Sequence, residues 1–151
     1  FKKANDENER AEIFNFYLAN ARQANNWDIV DVTCRDVIGA YLLEHEDRKE
    51  ILYQLAASDN LWEQRIAMVS TWTFIKHRQY ADTLALAEKL LVHKHDLIHK
   101  AVGWMLREVG KKDRAVLRDF LETHYKNLPR TALRYALEHF PPDERSYFMR
   151  K

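Results

Sequence analysis

The sequence predicts an all-α fold, and three observations carry that reading. First, the 151 residues include only 3 Gly and 3 Pro, about a third of the share an average chain carries. Sandwiches, barrels and hairpins need a residue of positive or fixed φ at each turn, and Gly39, Gly103 and Gly110 cannot furnish one every ~8–12 residues. Second, apolar residues recur at helical spacing, as in Val30, Cys34, Val37, Ile38 and Tyr41. Third, helix-start and helix-stop residues punctuate the chain at short intervals, with no Ser/Gly/Pro-rich linker between them. A single domain of about this length buries roughly 70% of its extended-chain surface, enough for a core.

Each element follows from local signals. Asp6 and Glu9 stand at capping-box spacing ahead of Ile13, Phe16, Tyr17 and Ala21, so a first helix is predicted over 6–23. Phe14, Phe16 and Tyr17 read as packing between helices. A second helix covers 27–44, and a third covers 48–57 around Ile51, Leu52 and Leu55. Asp59-Asn60 opens a fourth that reaches His77, and a fifth covers 81–91. Asp96 is expected to cap a sixth, with Gly110 ending it as the residue just past the last turn. Asp113 starts a seventh, and Pro129, placed where a first-turn proline belongs, starts an eighth reaching Phe140. Pro141-Pro142 stops that helix before a short terminal one through Tyr147 and Phe148.

The starts of helices two, four, six and eight fall near residues 28, 60, 96 and 129. A period of this size marks stacked helix pairs, so the expected architecture is one domain over 1–151, a right-handed α-α superhelix of HEAT-like or ARM-type repeats. A register supports it: Asp31 to Arg65 is 34 positions, Arg65 to Lys100 is 35 and Lys100 to Arg134 is 34. Trp27, Trp62 and Leu97 also repeat at 35, as do Trp72 and Arg107. In a helical solenoid, equivalent positions of inner helices line one concave surface.

With 24 basic and 23 acidic residues the formal net charge is +1. There is no overall basic field, so a charged partner must be read from local patches. A lone Cys34 excludes an internal disulfide and a Cys-rich zinc site, which fits a reducing compartment. No run approaches the ~18 apolar residues of a membrane span, and the first residues lack a signal-peptide core. The expected setting is cytoplasmic, without a membrane partner, for a monomer. The chain begins at Phe1, so preceding residues are expected to be missing.

The sixth helix places Lys100, Trp104, Arg107 and Lys111 on one face, with Ile98, Val102, Met105 and Val109 opposite. The fourth repeats the arrangement with Arg65, Val69, Trp72 and Lys76, and the eighth adds Arg130 and Arg134. Cations interleaved with aromatic rings suit a polyanion backbone. A solvated charged face, with tryptophans covering lysine stems, explains the same residues. On the second helix the register position carries an acid, Asp31, one turn after Trp27. An acid in a cationic groove can stabilise developing positive charge or orient a water, as cleavage of a glycosidic bond requires. Asp31 and Arg35, four apart in the favourable order, can equally form a plain surface ion pair.

His93, His95 and His99 cluster near the start of the sixth helix, but no nearby carboxylate or Cys completes a ligand set. No Gly-rich phosphate loop, nucleophile elbow or dinucleotide fingerprint is present. Neither a metal nor a cofactor is expected.

Several runs then point further. They are Trp27-Asp28-x-Val30-Asp31, Leu61-Trp62-x-x-Arg65, the segment from Lys100 through Gly103, Trp104 and Arg107 to Glu108, and Pro129-Arg130-Thr131 followed by Leu133 to Ala136. In this order, from Asn25 to Phe148, the sequence resembles the AlkD-like DNA alkylation repair glycosylases built from HEAT-like repeats. The resemblance implies a monofunctional DNA glycosylase that excises N3- and N7-alkylated purines from duplex DNA and leaves an abasic site. It makes Asp31 the catalytic acid residue, Trp27 and Trp104 the groove tryptophans at the lesion nucleotide, and Arg65 a phosphate contact. The register adds Lys100, Arg107 and Arg134 as phosphate contacts. An alkylated base is already a cationic leaving group, so one carboxylate and a positioned water suffice. Glycosylases usually flip the base into a pocket; nothing in the sequence suggests one, and an open groove would hold the lesion by its backbone. Asn26 stands where some members carry a second tryptophan, and members have additional N-terminal helices. The alternative from another class is a non-catalytic HEAT-repeat scaffold that binds DNA structures or a protein partner.

Overall fold

Helix-forming sequence and short connections appear, in a computed structural model that describes residues 7–20, 31 and 33–150, as nine α-helices, one π-helical turn and one 3-10 turn. The fold is all-α, and no strand occurs among the described residues. The chain divides into two compact units, Phe1–Phe74 and Ile75–Lys151.

In the first unit, α1 (Glu7–Ala19) buries Phe14 against Tyr41, with the rings stacked at 4.2 Å. Phe16, expected to pack between helices, is 71% exposed, because the buried stripe of this helix passes through Phe14. Residues 31, 33 and 34 are helical and lead into the π-helical turn Arg35–Gly39 and then α2 (Ala40–Glu44). The π turn answers a close approach: a Cβ on Gly39 would sit 2.6 Å from both the Ser70 carbonyl oxygen and Thr73 Oγ1. The Thr73 hydroxyl donates to the Arg35 carbonyl at 2.9 Å, supplying a partner where the helical ladder is disturbed. His45 stacks on Tyr41 at 4.0 Å, takes its Nδ1 to the Tyr41 carbonyl and its Nε2 to Glu7. The Tyr41 carbonyl, aided by Glu7, raises the His45 imidazole above its ordinary value. A 3-10 turn (Glu46–Arg48) and α3 (Glu50–Ala56) follow. Asn60 then caps α4 (Leu61–Lys76), its Oδ1 accepting from the N–H groups of Trp62 and Glu63 at 3.0 Å. From Arg65 to Ile75 every residue of α4 except Trp72 is buried, so of the predicted polar face Arg65 and Val69 lie inside, Trp72 is half-buried and Lys76 is exposed. The boundary between the units falls within α4.

The second unit holds α5 (Ala81–Leu90), α6 (Asp96–Lys112), α7 (Arg114–His124), α8 (Arg130–Ala136) and α9 (Pro142–Met149). At its centre α6 packs against α5, α7 and α8, burying Ile98, Val102, Met105 and Val109 as the sequence predicts. Its main partner is α8, the helix one register period away, which is how repeats stack on their neighbours. Three local expectations are corrected. Gly110 does not end α6: the helix continues to Lys112, and no glycine among the described residues has positive φ. A Cβ at Gly110 would lie 2.5 Å from Leu117 Cδ2, so glycine serves the contact with α7. At the other end the cap is His95, whose Nδ1 accepts from the Leu97 N–H, and not Asp96. Asp113 caps α7 as expected, accepting from the Ala115 and Val116 N–H groups. The eighth predicted helix ends at Ala136 instead of Phe140, and Leu137 and Phe140 fold inward after it. Among the described residues, no helix is long and apolar enough to cross a membrane.

Candidate active site

Asp31 sits on the helical segment ahead of the π turn and is only 7% exposed. Its partner comes from α4: Arg65 Nε donates to Oδ1 and Nη2 to Oδ2, both at 2.8 Å, and Arg65 is 5% exposed. The planar guanidinium matches both carboxylate oxygens at once, the geometry in which such pairs are strongest. The 34-residue spacing is the register itself, so here the repeat places consecutive equivalents face to face. The i, i+4 pair between Asp31 and Arg35 is not formed. A buried charge left without a partner is costly, and Arg65 meets the acid inside, while Arg35 lies with Cζ 4.6 Å above the Trp72 ring.

Other groups surround the acid. Cys34 is fully buried, and its Sγ donates weakly to the Asp31 carbonyl at 3.8 Å. Burial pushes its thiol up to about 12, with the neighbouring Ser70 opposing the rise and the Asp31 charge adding to it. From α1, the Tyr17 hydroxyl lies 2.7 Å from Thr33 Oγ1. Its phenol is likewise pushed up to about 12, chiefly by burial, with the Thr33 hydrogen bond opposing and the charges of Cys34 and Asp31 reinforcing. In the sequence Tyr17 carries only a packing signal and Thr33 carries none. Its position two residues from Asp31 carries no helical-face signal. Trp27, expected at the lesion, lies outside the described residues.

The remaining expected site residues belong to the second unit. Trp104 is half-buried, and its Nε1 donates to Glu108 at 3.2 Å. The Lys100 side chain is 44% exposed and meets Asp96 at 3.3 Å. Arg107 pairs with Glu138 and keeps a buried Nε without a hydrogen-bond partner among the described residues. Arg134 is exposed on α8 and lines an open cleft of about 470 Å³ with Glu138, Pro142 and Arg145. The three histidines are taken up locally. His93 Nδ1 accepts from the His95 N–H, His95 caps α6, and His99 Nε2 meets the His93 carbonyl. Among the described residues, no cluster of three or more His, Cys, Asp or Glu can hold a metal ion.

Among curated proteins, none matches the chain. A family does: residues 1–140 match the family described as DNA alkylation repair enzyme. That match spans Asp31, Arg65, Lys100, Trp104, Arg107 and Arg134, and it supports a role in DNA repair with DNA as the substrate. The chain belongs to the DNA alkylation repair enzyme family.

Proposed function

We propose that the chain is a monofunctional DNA glycosylase that hydrolyses the N-glycosidic bond of N3- or N7-alkylated, cationic purines in duplex DNA and leaves an abasic site. The observation that carries this reading is a carboxylate held at a fixed place within the family match: Asp31, with both oxygens on the Arg65 fork at 2.8 Å. Departure of an alkylated base leaves a sugar with oxocarbenium character. An oriented anion stabilises that charge without reorganising at the moment of reaction. The leaving base is already cationic and needs no proton, so one acid is sufficient. Asp31 therefore stabilises the sugar cation and orients the water that adds to C1′, while Arg65 positions the carboxylate. Trp27 and Trp104 pack on the lesion nucleotide, where an indole face against a cation is worth about 0.5–2 kcal/mol. Lys100, Arg107 and Arg134 take backbone phosphates.

A second reading, a scaffold that binds DNA structures or a protein without catalysis, draws on one observation. A buried bidentate pair such as Asp31 with Arg65 is also how two helices are cross-linked. Base release separates the two. Incubation with methylated duplex DNA, followed by chromatography of the soluble fraction, is expected to yield free N7-methylguanine. DNA retention without free base, weakened by Lys100→Ala, would favour the scaffold.

A further inference from the structure

The wall that carries Asp31 holds two arginines in different electrostatic situations. Arg65 is buried and spends Nε and Nη2 on the acid. Arg35, one turn after Asp31, is half-buried, has no acidic partner among the described residues, and keeps a buried Nε with no hydrogen-bond acceptor. Its guanidinium is not loose. It lies 4.6 Å above the Trp72 ring, and the backbone beneath it is tied to α4 by the Thr73 hydroxyl on its carbonyl and by the tight approach at Gly39. A guanidinium held over an indole face is confined by that contact, and its terminal N–H groups can meet a phosphate bidentately. A cation oriented by an aromatic platform and lacking an anion among the described residues is suited to an anion from outside.

We propose that Arg35, seated on Trp72, is the residue of the first unit that binds a DNA backbone phosphate beside Asp31, and that Arg65 acts on Asp31 and not on phosphate. This rests on the reading that Asp31 works on DNA, and it adds a binding residue to that site. Releasing a phosphate's counterions leaves a signature: each contact contributes about −0.9 to the slope of log K against log salt.

The test is a fluorescence-anisotropy titration of the 151-residue chain against a labelled duplex containing one tetrahydrofuran abasic-site analogue, repeated over a KCl series. Arg35→Gln is expected to weaken binding about tenfold and to make the slope shallower by about 0.9, while Arg65→Gln keeps the wild-type slope. Arg35→Lys, which retains the charge but not the planar stack, is expected to keep the slope and still lose affinity. A folded Arg35→Gln protein with the wild-type slope would overturn the proposal. If that variant does not fold, unchanged affinity in Arg35→Lys overturns it instead. Binding is read without base release, so the two ideas fail separately. Base release with an unchanged Arg35→Gln slope rejects Arg35, whereas no base release with a shallower slope rejects the glycosylase and leaves the phosphate contact standing.

Discussion

At the shared register position the first unit holds Asp31 and Arg65, buried and joined at 2.8 Å, whereas the second holds Lys100, 44% exposed beside Asp96, and Arg134, exposed on α8. The difference follows from the signs of the charges. Opposite charges at consecutive equivalents can neutralise each other across two helices and be buried together. Like charges cannot, so Lys100 turns to a carboxylate on its own helix and Arg134 stays in solvent. One repeat geometry thus yields an internal acid in one unit and surface cations in the other.

The strongest way to break this contrast is to remove one member of each set. Arg65→Ala strands the Asp31 carboxylate in the interior and is expected to cost about 3–5 kcal/mol in chemical denaturation. Lys100→Ala removes a solvent-screened pair and is expected to change stability by under about 0.5 kcal/mol. Comparable losses from both would show that the two positions are not used differently. Next in size, Gly39→Ala forces a Cβ into the Ser70 carbonyl and Thr73 hydroxyl, where there is no room at 2.6 Å. A destabilisation of about 1–3 kcal/mol is expected by the same assay, with DNA affinity lowered as the Arg35 wall shifts.

Smaller effects sharpen the second half of the comparison. Lys100→Ala and Arg134→Ala are each expected to make the salt slope of DNA binding shallower by about 0.9 while leaving the melting curve in place. A slope that does not move would assign those cations to solvent alone. The smallest expected effect is one of pH, with opposite signs in the two units. His45 is raised by the Tyr41 carbonyl and Glu7, so its contribution is full below about pH 6.5 and fades as pH rises through its folded value. His93 is lowered by burial and by its neighbours His95 and His99, so its contribution is full above about pH 6.5 and fades on acidification. Amide exchange at about pH 5.5 and about pH 7.5 is expected to show α1 better protected at the lower pH and the start of α6 better protected at the higher one.

What the sequence reveals and what it conceals divide by the range of the interaction. Asn60 and Asp113 are recognisable as caps because capping is settled within three residues, and the buried stripe of α6 follows from periodicity. The 34-residue register was legible as spacing, but the pairing of Asp31 with Arg65 was not. Local rules favour Arg35 at i+4, and nothing local reveals that Asp31 is inside. Gly110 misled for a related reason: a helix end and a close helix contact both call for glycine, and only the neighbour Leu117 separates them. The π turn is a tertiary accommodation of Gly39 to α4 and leaves no periodic trace. Phe14 and Phe16, two residues apart on one helix, show the same limit, since burial is decided by what α1 meets.

The central claim is that Asp31 acts on the glycosidic bond, and excision of N7-methylguanine from methylated duplex DNA tests it most directly. Wild type and Asp31→Asn are compared under single-turnover conditions, with circular dichroism confirming that both are folded. Wild type is expected to release the base, with the variant slower by on the order of 10² to 10⁴. Equal rates from two folded proteins would contradict the claim.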